Sequence, residues 1–286
     1  MTKTDSEINI KKVNSGIILC NCNDFDVAQT LDCGQAFRWR KMGDGSYTGL
    51  TGRTVCNILQ TPDGILLRGV TDREFEEVWY NYFDLGRDYA AIKQRLSAHP
   101  VFAKAVEYAP GIRVLRQDSW EALCSFIISQ NNHLKRIQGI VRRLCEVFGE
   151  PLENGEYLFP EPEALARASL EELAVLRAGF RARYLLDAAR KVASGQVRVQ
   201  ELAKLPLEEA RAELMKITGV GIKVAECTLL YGCGRIECFP VDVWIGRAMK
   251  QLFPDGLPAC ASDCAGIAQQ YIFHYVRTCP GALGGN

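Results

Sequence analysis

Apolar and polar residues alternate in short runs over the first 70 positions, and after that the period changes. "GIILC", "AFRWRK", "GSYTGL", "TVCNILQ" and "GILLRG" each set apolar side chains on one face of an extended chain, with the turn sequences "MGDG", "TG" and "TPDG" between them. This pattern predicts short antiparallel strands joined by hairpins. From Asp72 onward apolar residues recur three and four apart, so that "REFEEVWYNYFDL", "DYAAIKQRLSAH" and "VFAKAVEYA" read as helices. Asp118, a good N-cap, opens "SWEALCSFIISQ", and "LKRIQGIVRRLCEVFG" follows the break at "NNH". The Pro/Glu-rich stretch "EPLENGEYLFPEPEA" is a surface connection, and further helices are predicted at about 170–176, 182–194, 207–216, 222–231, 243–252 and 263–277. The fold class is therefore α+β: a small antiparallel sheet domain followed by an all-α body, without internal repeats.

Composition adds a scale to this picture. With 286 residues, 48% of them hydrophobic and 24% charged, the chain can bury the cores of two or three packed units. No apolar run approaches the roughly 20 residues of a membrane helix, and "MTKTDSEINIKK" has no signal-type apolar segment. A cytoplasmic protein is expected. Twelve cysteines in such a chain read as reduced core residues, as in "ALCSF", "RRLCEVF" and "AECTLL". The late group Cys227, Cys233, Cys238, Cys260, Cys264 and Cys279 contains no pair at the two-residue spacing of zinc or iron–sulfur sites, so no metal centre is expected.

Net charge is zero and the pI near 6.8, so global charge points to no partner. Local charge does. Residues 150–172 carry seven Glu against one Arg, whereas 173–198 carry Arg177, Arg181, Arg183, Arg190, Lys191 and Arg198 against Asp187 alone. Lys135, Arg136, Arg142 and Arg143 add a second basic group on a helix. Such segregation makes either a solvated helix surface or a basic face that attracts a phosphate backbone.

Chemistry concentrates in "EEARAELMKITGVGIKVAECTLLY", a helix, a tight turn with Gly219 and Gly221, and a second helix. Glycines let N–H groups point outward beside a helix N-terminus, where they bind phosphate without reading base sequence. Lys223 stands on the first turn of the second helix, the end at which the helix dipole repels a cation. Desolvation and that positive end both favour the neutral amine, the form that attacks carbon. Nineteen residues on, "CFPVDVWIGRAMK" puts Asp242 at the start of another helix. An N-cap is the ordinary reason for an aspartate there. A capping carboxylate is also rigid and ionised, which suits it to stabilise positive charge developing on a sugar.

"ITGVGIKVAECTLLY" with "FPVDVW" resembles the helix-hairpin-helix glycosylases of the endonuclease III superfamily, and among them the 8-oxoguanine DNA glycosylase family. The resemblance covers almost the whole chain through "LDCGQAFRWRK", "FIISQNNHLKRIQGIVRRLCEVFG", "RAGFRARYLLDAAR" and "IAQQYIFHYVR". It implies a TBP-like sheet domain over residues 1–113 and a glycosylase domain of two helical subdomains over 114–286. It also implies a bifunctional glycosylase and abasic-site lyase, with Lys223 as nucleophile at C1′ and Asp242 as the assisting carboxylate. Gly34 would offer its carbonyl to the N7 hydrogen of 8-oxoguanine, Cys227 and Phe273 would sandwich the flipped base, and Gln269 would hold its Watson–Crick edge. Asn131 would fill the vacated stack, Phe180 act as wedge, and Arg136 and Arg181 hold the orphaned cytosine. Gly219, Val220 and Gly221 would anchor a phosphate, with a structural monovalent cation at the hairpin.

No cofactor or iron–sulfur cluster is implied, and the expected partner is duplex DNA bound by a monomer. The compartment would be the nucleoid in a bacterium or the nucleus in a eukaryote. Three positions depart from the pattern: Phe180 replaces the tyrosine wedge of eukaryotic members, Trp244 stands where they carry histidine, and "TGVG" replaces "PGVG". The competing readings are a glycosylase for another damaged base and a non-catalytic DNA-binding protein that uses the hairpin as a clamp.

Overall fold

The computed structural model describes residues 8–283. Its N-terminal part is a six-stranded antiparallel sheet of order β1-β2-β6-β5-β4-β3. The strands are β1 (Asn9–Val13), β2 (Gly16–Cys20), β3 (Arg40–Lys41), β4 (Tyr47–Thr51), β5 (Thr54–Thr61) and β6 (Gly64–Arg68). Alternation along β2, β5 and β6 buries Ile17, Leu19, Cys56, Ile58, Ile65 and Leu67 on one face. The register places Leu67 between Ile17 and Ile58, so the apolar rows coincide across the sheet. Trp39, Trp79, Tyr82 and Phe83 cover that face as a cluster of edge-on and stacked rings.

Two features of this sheet differ from the sequence reading. The strand expected over "AFRWRK" shrinks to Arg40–Lys41, because Phe37 packs into the helical core and Trp39 into the sheet core. A segment that divides its apolar residues between two cores cannot stay on one sheet. The edge strand β1 was not anticipated. Its sequence NIKKV is almost wholly exposed and carries no apolar alternation; main-chain pairing with β2 holds it.

The remainder is helical. Among the described residues nine α-helices have eight or more residues: α1 (Tyr89–Leu96), α2 (Pro100–Tyr108), α3 (Ser119–Ser129), α4 (Leu134–Phe148), α5 (Arg181–Ala193), α6 (Leu207–Met215), α7 (Ile222–Cys233), α8 (Val243–Leu252) and α9 (Ala265–Thr278). The helix expected over residues 73–85 forms over 72–82, opened by the Thr71 capping box and widened into a π-helical turn at Phe75–Trp79. Asp118 caps α3 as expected, accepting from the Glu121 amide at 2.8 Å.

α3 is apolar all round and lies at the centre, with Trp120 and residues 122–128 buried. α7 runs against it so closely that a Cβ on Gly232 would stand 2.8 Å from the Ser119 Cα. The end of α3 and the start of α7 are thereby held side by side.

Gln35 joins the sheet domain to the helical body. Fully buried, it donates to the carbonyls of Thr30 and Arg113 and accepts from the Leu115 amide at 2.8 Å, while its own carbonyl takes a hydrogen bond from Gln117. Every polar atom of the side chain is satisfied, which is the condition for burying an amide without loss.

Candidate active site

The hairpin between α6 and α7 begins with Thr218, whose amide donates to Asp187 at 2.7 Å; Lys191 donates to the same carboxylate at 2.9 Å. Partial burial opposes ionisation of Asp187, but the Thr218 and Lys191 donors hold its carboxyl below the usual range. Gly219 takes φ +79°, and a Cβ there would lie 2.4 Å from the Tyr184 ring, so both conformation and space demand glycine. Val220 is buried beneath the turn. Gly221 caps α7 without a side chain, and a Cβ on it would meet nothing. Among the described residues the amides of Gly219, Gly221 and Ile222 have no acceptor. The result is a small nest of outward N–H groups at the positive end of a helix.

On the first turn of α7, Lys223 is half-buried and faces a cleft of about 880 Å³. Its amine approaches Ser129 Oγ at 3.4 Å and lies 5.4 Å from the centre of the Phe126 ring, both on the last turns of α3. Among the described residues no carboxylate pairs with it within 4 Å. Asp242 lines the same cleft from the start of α8, where its side chain accepts from the Ile245 amide at 2.8 Å. The cap reading and the cleft position of Asp242 therefore hold together.

Cys227, one turn beyond Lys223, is buried in the wall of the cleft. Burial pushes its thiol up to about 11, against the pull of the neighbouring lysine, so it is protonated and apolar at neutral pH. α9 supplies the facing wall. Gln269 is 4% exposed, and its Oε1 has no hydrogen-bond partner among the described residues. A buried acceptor left open in the wall of a cleft costs roughly 1–3 kcal/mol unless something arrives to fill it. Phe273 is one turn on, with the Arg277 guanidinium 4.8 Å above its ring.

Gly34 closes the cleft from the N-terminal domain at φ +91°, flanked by the fully buried Cys33 and Gln35 that hold it in place. Asn131 and Phe180 stand at the rim, exposed. Asn131 takes φ +46° between α3 and α4, a conformation that asparagine tolerates better than most residues.

The two arginines expected beside the rim are placed differently. Arg136 is exposed and lines a neighbouring groove rather than the cleft. Arg181 is buried; it donates to the carbonyls of Gln130, Asn131 and Ala178 and stacks 4.4 Å from the Phe180 ring. It fixes the shape of the rim, with most of its donors already taken.

Sequence reasoning passed over Ser129, Phe126, Gln35 and Arg277 as site residues. Arg277 had a readable signal, since it lies four residues after Phe273 on one helix face. Ser129 and Gln35 had none, because their partners lie 94 and about 80 residues away. Among the described residues no group of three or more His, Cys, Asp or Glu side chains is placed to hold a metal ion, and no helix is long and apolar enough to cross a membrane.

Comparison with known proteins agrees with this geometry. Residues 17–123 match the family model described as 8-oxoguanine DNA glycosylase, N-terminal domain, and residues 124–256 match the HhH-GPD superfamily of base excision DNA repair proteins. The N-glycosylase/DNA lyase of Saccharomyces cerevisiae is 30% identical over 266 residues, covering 82% of this chain and 70% of the yeast protein. The structure of MBOgg1 with a low-affinity DNA ligand is 41% identical with a TM-score of 0.89, covering 95% of this chain and 98% of that one. The 8-oxoguanine glycosylase/lyase of Clostridium acetobutylicum, bound to double-stranded DNA with cytosine opposite 8-oxoguanine, is 35% identical with a TM-score of 0.88, covering 96% and 99%. On the shared fold, on both family models and on these relatives, the chain belongs to the 8-oxoguanine DNA glycosylase family.

Proposed function

We propose that the cleft receives an 8-oxoguanine nucleotide flipped out of duplex DNA and that Lys223 excises its base. The chain is a bifunctional DNA glycosylase and abasic-site lyase of base excision repair. The observation that carries this reading is an amine without a carboxylate partner among the described residues, sharing one cleft with a helix-capping aspartate and an open buried acceptor.

The Lys223 nitrogen bonds to C1′ as the C1′–N9 bond breaks, and the base leaves with that electron pair and takes up a proton. Asp242, held by the Ile245 amide, stabilises the positive charge that develops on the sugar. The attached nitrogen then loses a proton, the C1′–O4′ bond opens with protonation of O4′, and a protonated imine remains. Loss of a C2′ proton and departure of the 3′ phosphate complete β-elimination. Only an amine nucleophile leaves an adduct that can follow this course.

Recognition divides among the walls. The Gly34 carbonyl accepts the N7 hydrogen that 8-oxoguanine has and guanine lacks, and a single bond of this kind discriminates strongly in a buried site. Gln269 meets the Watson–Crick edge, and Cys227 and Phe273 sandwich the ring. Flipping costs a few kcal/mol, offset by Asn131 entering the stack and Phe180 wedging the step. Arg136, exposed beside the rim, faces the orphaned cytosine, and Arg181 acts through the rim, since the carbonyls of Gln130, Asn131 and Ala178 hold most of its donors. Gly219, Val220 and Gly221 take a phosphate, where a monovalent cation held by the hairpin carbonyls would add positive charge, and the unobstructed Cβ position of Gly221 supports a close approach from outside the protein.

By function the chain divides into residues 1–113, which bring Gly34, and 114–286, which bring the nucleophile. It works as a monomer, without a cofactor or iron–sulfur cluster, in the compartment that holds the DNA. The test is borohydride trapping on an 8-oxoguanine duplex. The wild type is expected to give a covalent complex and Lys223→Gln none; a trap that survives the substitution would overturn the assignment.

A further inference from the structure

A second groove, of about 470 Å³, is lined by Gly179 and Ala182 on either side of the Phe180–Arg181 pair, whereas Phe180 itself lines the cleft. Its floor is apolar, from Leu170, Leu173 and Ala182, and three arginines stand around it: Arg136, Arg177 and Arg183. Among the described residues none of the three pairs with a carboxylate within 4 Å, although an acidic stretch immediately precedes this segment. Glu172, five residues before Arg177, is turned back to accept from the Ser169 amide, and Asp187, four residues after Arg183, accepts from the Thr218 amide and Lys191.

Part of this charge has a structural role. Arg143 donates twice to the Leu176 carbonyl, at 3.0 and 2.8 Å, and Arg136 reaches the Arg177 carbonyl at 3.5 Å. Cations at the last carbonyls of a helical turn satisfy those groups and suit the dipole. That role does not extend to the side chains of Arg177 and Arg183, which donate to nothing among the described residues. Arg177 also sits at φ +53°, ψ +36°, a left-handed position where glycine is the usual residue. A long cation is thus kept at a strained turn three residues before the wedge, with further cations around it. Strain of this kind is often maintained for function.

We propose that this groove binds the phosphate backbone of the undamaged DNA strand. The inference rests on the flipped-base reading of the cleft. If the lesion strand enters the cleft, a wedge at Phe180 separates the two strands, and the surface on its other side faces the strand that keeps the orphaned base. Arginine suits phosphate through its planar array of donors. The apolar floor lets the side-chain stems lie flat with the guanidinium groups outward. The groove supplies register and affinity and reads no base.

The test measures binding of the full chain to a duplex with a tetrahydrofuran abasic analogue opposite cytosine, by fluorescence anisotropy from 50 to 300 mM KCl. Arg177→Gln and Arg183→Gln are each expected to lower the slope of log Kd against log salt by about 0.9, and the double variant by about 1.8. Affinity for the single-stranded lesion oligonucleotide is expected to stay unchanged. Neutral methylphosphonates in the undamaged strand should lower the wild-type slope by the same amount and leave the double variant unaffected. Arg177→Gly, whose backbone suits the left-handed turn, repeats the charge removal without a folding penalty.

An unchanged slope overturns the inference, as does a loss reproduced only by methylphosphonates in the lesion strand. If the wild type itself fails to bind the duplex, the reading of the cleft falls first.

Discussion

Lys223 occupies the end of α7 where a cation is least welcome, beside Ser129 and the Phe126 ring and, among the described residues, with no carboxylate within 4 Å. No ion pair among the described residues turns this amine away from the cleft. The open Oε1 of Gln269 is a second residue-scale signature, and it separates recognition from chemistry. Gln269→Ala is expected to slow excision of 8-oxoguanine by about tenfold or more, equivalent to one hydrogen bond in a buried site, while strand cleavage at a preformed abasic site changes little. Measuring both rates under single-turnover conditions checks this; equal losses would assign Gln269 to structure instead. Gly34→Ala meets two obstacles, φ +91° and an Arg277 nitrogen 3.0 Å from the new Cβ. It is expected to lower stability by about 1–2 kcal/mol and to reduce excision more than lyase activity, as denaturant unfolding and product assays would show.

At the scale of elements, the hairpin is held to α5 by Asp187, which receives Thr218 N and Lys191 Nζ. Asp187→Ala is expected to remove roughly 2 kcal/mol, the contribution of hydrogen bonds to a charged acceptor, and to weaken binding of undamaged duplex as the turn loosens. The sign of the pH dependence follows from the depressed carboxyl. Its contribution is present above the ordinary aspartate value of about 3.9 and is lost as pH falls through the lower folded-state value. Acid unfolding of the wild type and of Asp187→Asn should therefore converge at the acidic end and separate above about pH 4. The predicted helices α3, α4, α5, α7 and α8 lie within two residues of their expected bounds. Each has a capping residue or a clear apolar stripe in its own sequence. β1 has neither and forms because β2 pairs with it, whereas the π-helical turn lies inside a capped and periodic helix, and no local signal sets its wider register.

Over the whole molecule, the cleft exists only because two cores meet. Gln35 is the joint, fully buried and fully hydrogen-bonded between the sheet domain and the segment leading into α3. Gln35→Ala would leave the Leu115 amide and the Arg113 carbonyl without partners and the Thr30 carbonyl with only the Cys33 thiol. A loss of about 3 kcal/mol or more is expected, lowering Tm by roughly 6–12 °C. Excision of 8-oxoguanine should fall with it, because Gly34 is the adjacent residue; calorimetry with a glycosylase assay tests both. Intact excision in the folded variant would show that the joint does not position Gly34.

The chain's local patterns determined the elements, the α+β order and the chemical character of the hairpin with its lysine and aspartate, because caps, glycine turns and helical spacing act over a few residues. They also carried the family resemblance, which rests on motifs in order along the chain. Tertiary structure decided what stands next to Lys223, which arginines remain free and which acceptor is left open. Arg181 illustrates the difference: by motif it belongs at the DNA surface, yet the carbonyls of Gln130 and Asn131, some 50 residues away, and of Ala178 converge on it and hold most of its donors. Such contacts depend on burial and on partners distant in the chain, and no local spacing encodes them.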